Sequence, residues 1–324
     1  MVLVSAILSL RSVSDLYRAR QRITARGLVL SRRARERSPD RLLAVLLGLQ
    51  AAMVEDTVEA TPGILAEQGI RDSAVATVNV GSLLGLASDG RALASLVTIP
   101  GLTDYQFDRI VQTQLQDVAR QAEAIERAVR PQVTHYVRAL NLPSCGRCVV
   151  LAGKPERREV AFRRHPRCDC ISVPTDARNA PGLVTTQDEA WAGMSTAERE
   201  KAFTKAGAEA IRLGADVNRV VNARRGMYTA QDRSLVGVGV QRRLRRDGTR
   251  AEPTLVTNYW ATGRLRRNGQ GVFATQELMG SPRSRRAMGL ARGEVRLMPE
   301  SIMELAETPQ ARIDLLRRFG YITD

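Results

Sequence analysis

Cys145-Gly146-Arg147-Cys148 is followed, after 16 intervening residues, by His165-Pro166-Arg167-Cys168-Asp169-Cys170. These two short stretches hold all four cysteines and one of the two histidines of a 324-residue chain. Two thiols at C-x2-C spacing reach one ion from a single tight turn. His165 and Cys168 form H-x2-C, and Cys168 and Cys170 form C-x-C. Cys145, Cys148, His165, Cys168 and Cys170 are therefore five candidate ligands for a four-coordinate ion. Zn2+ suits this mixture of sulfur and nitrogen donors in a closed tetrahedral set. A closed set leaves no position for a reactive water, so the chemistry expected is a structural zinc site. Gly146 is expected to let the backbone fold around the metal, and Pro166 to stiffen the return limb. The H-P-x-C spacing favours His165 with one of the two later cysteines, and leaves open which one.

Two alternatives involve no metal: buried free thiols, or two disulfides. Burial alone does not gather four thiols into 26 residues. The apolar start, Met1 to Leu10, has no preceding positive region and reads as a poor signal peptide. A chain made in a reducing cytosol more often uses such spacing for metal than for disulfides.

The elements around this knuckle read as helices. Residues 14 to 37 form a charged helix, broken at Ser38-Pro39, where Ser38 or Asp40 caps the next. Leu42, Val45, Leu46 and Leu49 repeat at helical spacing, and Thr61-Pro62-Gly63 is expected to end that helix near Ala60. Residues 64 to 98 are expected to form helical hairpins. Thr103 caps a long helix with Val111, Leu115, Val118, Ala122, Ile125 and Val129 in a 4-3-4-3-4 seam, which fits a helical hairpin within the chain better than an oligomeric bundle, the alternative. His135 is expected on a short helix, as a packing residue and not a ligand. Ile171 to Pro174 reads as extended, and Thr175 to Thr186 as a polar linker. Ser195-Thr196-Ala197-Glu198 is a capping box. It opens a helix with Phe203, Ala206, Ala210 and Leu213 on one face, stopped by Gly214. Asp216 caps a second helix. At the C-terminus Pro299 and Thr308-Pro309 open two more.

Hydrophobic residues make up 44% of the chain and aromatics 4%, which favours helices packed by small residues over a sheet sandwich. The net charge is +15. It is uneven: Arg11 to Arg41 carries +7 and Arg224 to Arg296 carries +11, leaving the remainder mildly acidic. Such clustering is expected of contact with nucleic acid or an acidic protein face. Residues 227 to 296 contain nine glycines and few large apolar side chains, so an extended arm without its own core is expected. Its strongest charge runs are Arg242, Arg243, Arg245 and Arg246, and Arg264, Arg266 and Arg267. The longest uncharged apolar run, Leu42 to Val54, is too short to span a bilayer. The fold class expected is mainly α. The divisions expected are a helical partner-docking domain (1–140), a zinc-knuckle module (141–175), a helical hairpin (176–226), the basic arm (227–296) and C-terminal helices (297–324).

No catalytic constellation is present: there is no G-x-S-x-G, phosphate loop or H-E-x-x-H. C-G-R-C-V-V-L-A-G-K with F-R-R-H-P-R-C-D-C-I-S-V-P resembles the cysteine-histidine signature of the Mu F-like minor head proteins of tailed bacteriophages, in the form found in actinobacteriophages. The specific part runs from about Asn141 to Pro174. A weaker likeness covers Gly214 to Gly226, Arg296 to Glu300 and Leu315 to Ile322. The resemblance implies a non-enzymatic virion protein inside the capsid. Its implied partners are the portal protein, the major capsid protein and packaged double-stranded DNA, bound without sequence preference. The alternatives are a zinc-containing DNA-binding regulator and a head-maturation protease.

Overall fold

The computed structural model describes residues 6–165, 168–224, 227–230, 240–241, 254–255, 272–275 and 296–323. Along the chain run α1 (Ala6–Ser9), α2 (Arg11–Arg35), α3 (Pro39–Glu67), α4 (Leu93–Val97), α5 (Asp104–Ala128), β1 (His135–Ala139), α6 (Gly146–Ala152), β2 (Glu156–Arg157), β3 (Ile171–Thr175), α7 (Ala180–Leu183), α8 (Gln187–Ala192), α9 (Thr196–Phe203), α10 (Lys205–Arg212), α11 (Val217–Ala223), β4 (Met227–Ala230), β5 (Val240–Gln241), β6 (Thr254–Leu255), β7 (Val272–Thr275), β8 (Arg296–Leu297), α12 (Pro299–Leu305) and α13 (Pro309–Arg318). The described chain is mainly α, as expected. It divides into two units: Met1–Ser144 with Leu151–Gly193, and Cys145–Val150 with Met194–Asp324.

In the first unit α2 and α3 form a hairpin turned at Ser38, whose hydroxyl accepts the Arg41 N–H at 3.2 Å, with Pro39 fixing the first helical φ. α5 lies against both, and Leu42, Leu46, Met53, Phe107, Val111 and Leu115 are buried together. Thr61-Pro62-Gly63 does not end α3, which continues through Pro62 to Glu67. The reason is tertiary: Thr57, Thr61, Ile64 and Leu65 stay on the buried face, and their packing outweighs the one N–H that proline withholds. Residues 64 to 98 do not form helical hairpins. Beyond α3 they hold a 3-10 turn (Val80–Leu83), a Leu86–Ala92 bridge and α4. Gly69, Gly85 and Gly90 take φ of 71°, 75° and 82°, which breaks any helix there. Buried Gln50 of α3 holds this loop, donating to the Leu86 carbonyl and accepting the Gly85 N–H.

α5 opens with a reciprocal capping box between Thr103 and Gln106. Its seam is buried at Val111, Leu115, Val118 and Ala122, but Ile125 and Val129 are only half-buried. In the second half of the helix five of the buried positions are charged: Asp117, Arg120, Glu123, Glu126 and Arg127. β1 is the middle strand of an antiparallel sheet ordered β2-β1-β3, in register from His135–Thr175 to Ala139–Ile171. His135 thus opens a strand, not a helix. Tyr136 to Ala139 are all buried, so the strand lacks the alternation by which sequence reveals one. The segment read as a polar linker instead contributes α7, whose Ala180 and Leu183 join a core with Ile7, Val13, Val137 and Val173.

The second unit is centred on a core of α10, α11, α12, α13 and β8, in which Ala210, Val220, Leu297, Ile302, Leu316 and Phe319 are buried. The helix expected from Ser195 to Leu213 is two helices. Thr204 separates them at φ 67°, ψ 161°, a conformation that side chains other than glycine rarely adopt. Thr204 Oγ1 accepts the Gly207 N–H to cap α10 and is hydrogen-bonded to Glu300 and Arg224. Gly214, at φ 100°, stops α10, and the Asp216 carboxylate accepts the Arg219 N–H at 2.8 Å. In the segment expected as an extended arm, β4, β7 and β8 pair antiparallel in that order, and β5 pairs with β6.

Candidate metal centre

Both limbs of the knuckle close the same kind of turn. The Cys148 N–H donates to the Cys145 carbonyl at 2.9 Å, and the Cys168 N–H donates to the His165 carbonyl at 3.1 Å. Pro166 and Arg167 lie outside the described residues. The Cys148 N–H also approaches Cys145 Sγ at 3.4 Å. α6 starts immediately after Cys145 and carries Cys148 inward.

The φ of Gly146 is not positive, so left-handed backbone is not what calls for glycine there. Gly146 allows a close approach instead: a Cβ there would lie 2.7 Å from Phe203 Cδ1 and Cε1 and 3.0 Å from the Ala202 carbonyl oxygen. Gly146→Ala should therefore destabilise the folded chain by about 1–3 kcal/mol, the usual cost of overpacking. A urea titration against the unaltered protein checks this, and an unchanged midpoint contradicts the packing argument.

The described residues bring the five candidates into two overlapping groups: Cys145, Cys148 and His165, and Cys148, Cys168 and Cys170. Within each group the ligand atoms all lie within 4.8 Å of one another, and Cys148 belongs to both. Cys148, Cys168 and Cys170 are buried, His165 is half-buried and Cys145 is the most accessible of the thiols. Four thiols and an imidazole so gathered could hold a metal ion, and the donor chemistry fits zinc. His135 stands apart at the start of β1, its Nδ1 2.9 Å from Thr134 Oγ1.

The return limb is anchored by side chains that the sequence did not single out. Arg120 of α5 donates to the carbonyls of Cys168 and Cys170 and to Asp117. Arg164 pairs with the same carboxylate at 2.7 Å. Burial pushes the Asp117 carboxyl up, and the two arginines oppose that rise. The Arg138 guanidinium lies 3.8 Å from the centre of the Phe162 ring and donates to the Arg163 carbonyl. The Tyr17 hydroxyl donates to Asp169, and burial raises the pKa of both groups. Tyr136, Val137, Arg138 and Ala139 gave no strand periodicity, and arginines read as surface, so no sequence signal pointed to these anchors.

Within the basic stretch Arg224 to Arg296, expected as the main polyanion contact, the two ends have partners of their own. Arg224 is committed to Glu300 and Thr204. Arg296 is fully buried, donates to the Phe319 and Gly320 carbonyls, and stacks 3.9 Å from the Tyr321 ring centre. Their neighbours in the fold fix them, as a core needs its buried cations satisfied. Arg242, Arg243, Arg245, Arg246, Arg264, Arg266 and Arg267 lie outside the described residues. Among the described residues no helix is long and apolar enough to cross a membrane. No family model, curated protein or solved structure matches this chain.

Proposed function

We propose that this chain is a structural minor head protein of a tailed bacteriophage, attached to the portal inside the capsid, in which one zinc ion staples the knuckle. The observation that carries the reading is the cysteine-histidine cluster. Cys145 and Cys148 supply two ligands, and two of His165, Cys168 and Cys170 supply the rest. The residues of the cluster are also those that carry the resemblance to Mu F-like proteins. When bound, zinc would cross-link the two turns and supply folding energy, with no part in a reaction. The segment after Cys170 is strand β3, not a helix that could enter a major groove, which weighs against a zinc-finger regulator. The test is quantitative mass spectrometry of purified heads. The chain should be present at low copy relative to portal, and its absence from heads overturns the reading.

In this reading the arginine runs of the arm meet packaged DNA through phosphate alone. Affinity for duplex DNA should then be independent of sequence and fall steeply with salt. Replacing Arg242, Arg243, Arg245 and Arg246 with Gln should flatten the log–log salt slope by about three to four units, at about 0.9 per phosphate neutralised. Unchanged slopes, with the variant failing to join heads, make the arm a strap on portal or major capsid protein.

A further inference from the structure

Arg138 lies in β1, the middle strand of its sheet, and is 4% exposed. Its guanidinium meets the Arg163 carbonyl, the face of Phe162 and, at 3.9 Å, the sulfur of Cys168. Three other buried arginines of the same unit have carboxylates: Arg20 has Glu123, Arg120 has Asp117 and Arg130 has Glu126; Arg127 meets the Ser172 hydroxyl and the face of Tyr136 instead. Among the described residues no carboxylate pairs with Arg138. A guanidinium taken out of water is costly unless its charge is met. A carbonyl and a ring face offer only partial negative charge, whereas a thiolate offers a full one. A metal-bound cysteine is a thiolate by necessity.

The charges also balance. Zn2+ with three thiolates and one neutral imidazole, a common structural set, carries a single negative charge. One guanidinium neutralises it. We propose that Arg138 is the counter-ion of the zinc centre and that it selects Cys168, not Cys170, as the fourth ligand beside Cys145, Cys148 and His165; this rests on the zinc reading above. Arg120 holds the backbone of the same limb by binding the carbonyls of Cys168 and Cys170. The limb is thereby fixed, with the Cys168 sulfur toward Arg138. Arg138 is a positioning residue: it acts on the metal through Cys168.

The test uses the full chain under reducing conditions, loaded with Co2+ in place of zinc. The thiolate-to-cobalt charge-transfer band scales with the number of bound sulfurs. Cys170→Ser should keep the wild-type band, and Cys168→Ser should lose one thiolate's share of it. Arg138→Gln should still bind one ion but hold zinc about 10–100-fold more weakly in chelator competition, the usual effect of losing an outer partner. Arg138→Lys should recover part of that loss, because it restores the charge but not the flat contact with Phe162. If Arg138→Gln does not fold, the two serine variants decide alone. The proposal is overturned if Cys168→Ser keeps the band while Cys170→Ser loses it, or if Arg138→Gln holds zinc as tightly as the wild type. A wild-type chain that takes up no Co2+ removes the zinc reading itself, a different result from a wild-type chain that binds normally with an indifferent Arg138.

Discussion

Cys148→Ala should abolish zinc binding and unfold the knuckle. Cys148 is the one residue common to both groups of candidate ligands, so its loss depletes both. It is also 2% exposed and sits on the inward side of the turn that begins α6. Metal binding in such modules contributes about 10–16 kcal/mol of apparent folding free energy at neutral pH, as much as a typical domain's whole stability. Loss of one ligand should remove most of it. Hydrogen exchange over residues 145–170 reads the effect: amides protected in the zinc-loaded protein should exchange rapidly in the variant and in chelator-treated wild type. Equal protection in all three samples would mean that the limbs hold without metal.

The second large effect is expected at Glu123, far from any cysteine in sequence. Its side chain is 4% exposed and pairs with Arg20, which is 2% exposed. Glu123 also accepts the Ser172 N–H at 3.0 Å, and Arg20 donates to Thr57 at 2.7 Å. One carboxylate thus ties α2, α5 and β3 together. Glu123→Ala leaves a buried guanidinium without its counter-charge and should cost about 3–5 kcal/mol. The double replacement Arg20→Met with Glu123→Leu removes both charges and should recover most of that loss, since well-packed apolar residues often match a buried pair. Denaturant melts of the single and double variants check this. A Glu123→Ala protein as stable as the wild type contradicts it.

The helix termini were legible because their signals are local. Ser38, Thr103, Ser195, Asp216 and Thr308 each accept a backbone N–H three residues on, where the sequence put the caps. Thr186 and Glu189 form another capping box, whose T-x-x-E signal begins at the last residue of the segment read as a linker. What stayed hidden depends on distant partners. β1 becomes a strand because Ile171–Thr175, more than thirty residues on, supplies its ladder. Pro62 stays helical because Ile64 and Leu65 are held in the core. The positions after Ala122 in α5 read as an apolar seam flanked by solvated charge. In the fold Glu123, Glu126 and Arg127 are buried because β3 and neighbouring side chains supply partners: Ser172 for Glu123 and Arg127, and Arg130 for Glu126. Sequence spacing named the five candidate ligands but could not name Arg138 or Arg120, whose roles exist only once β1 and α5 meet the return limb.

The central claim is that the knuckle is a zinc site, and the most direct measurement is native mass spectrometry of the intact chain, purified under reducing conditions without added metal. The account predicts one zinc per chain, lost on acidification together with the protection of residues 145–170. Folded protein carrying less than about 0.2 equivalents of zinc, against the single closed site expected, would contradict it.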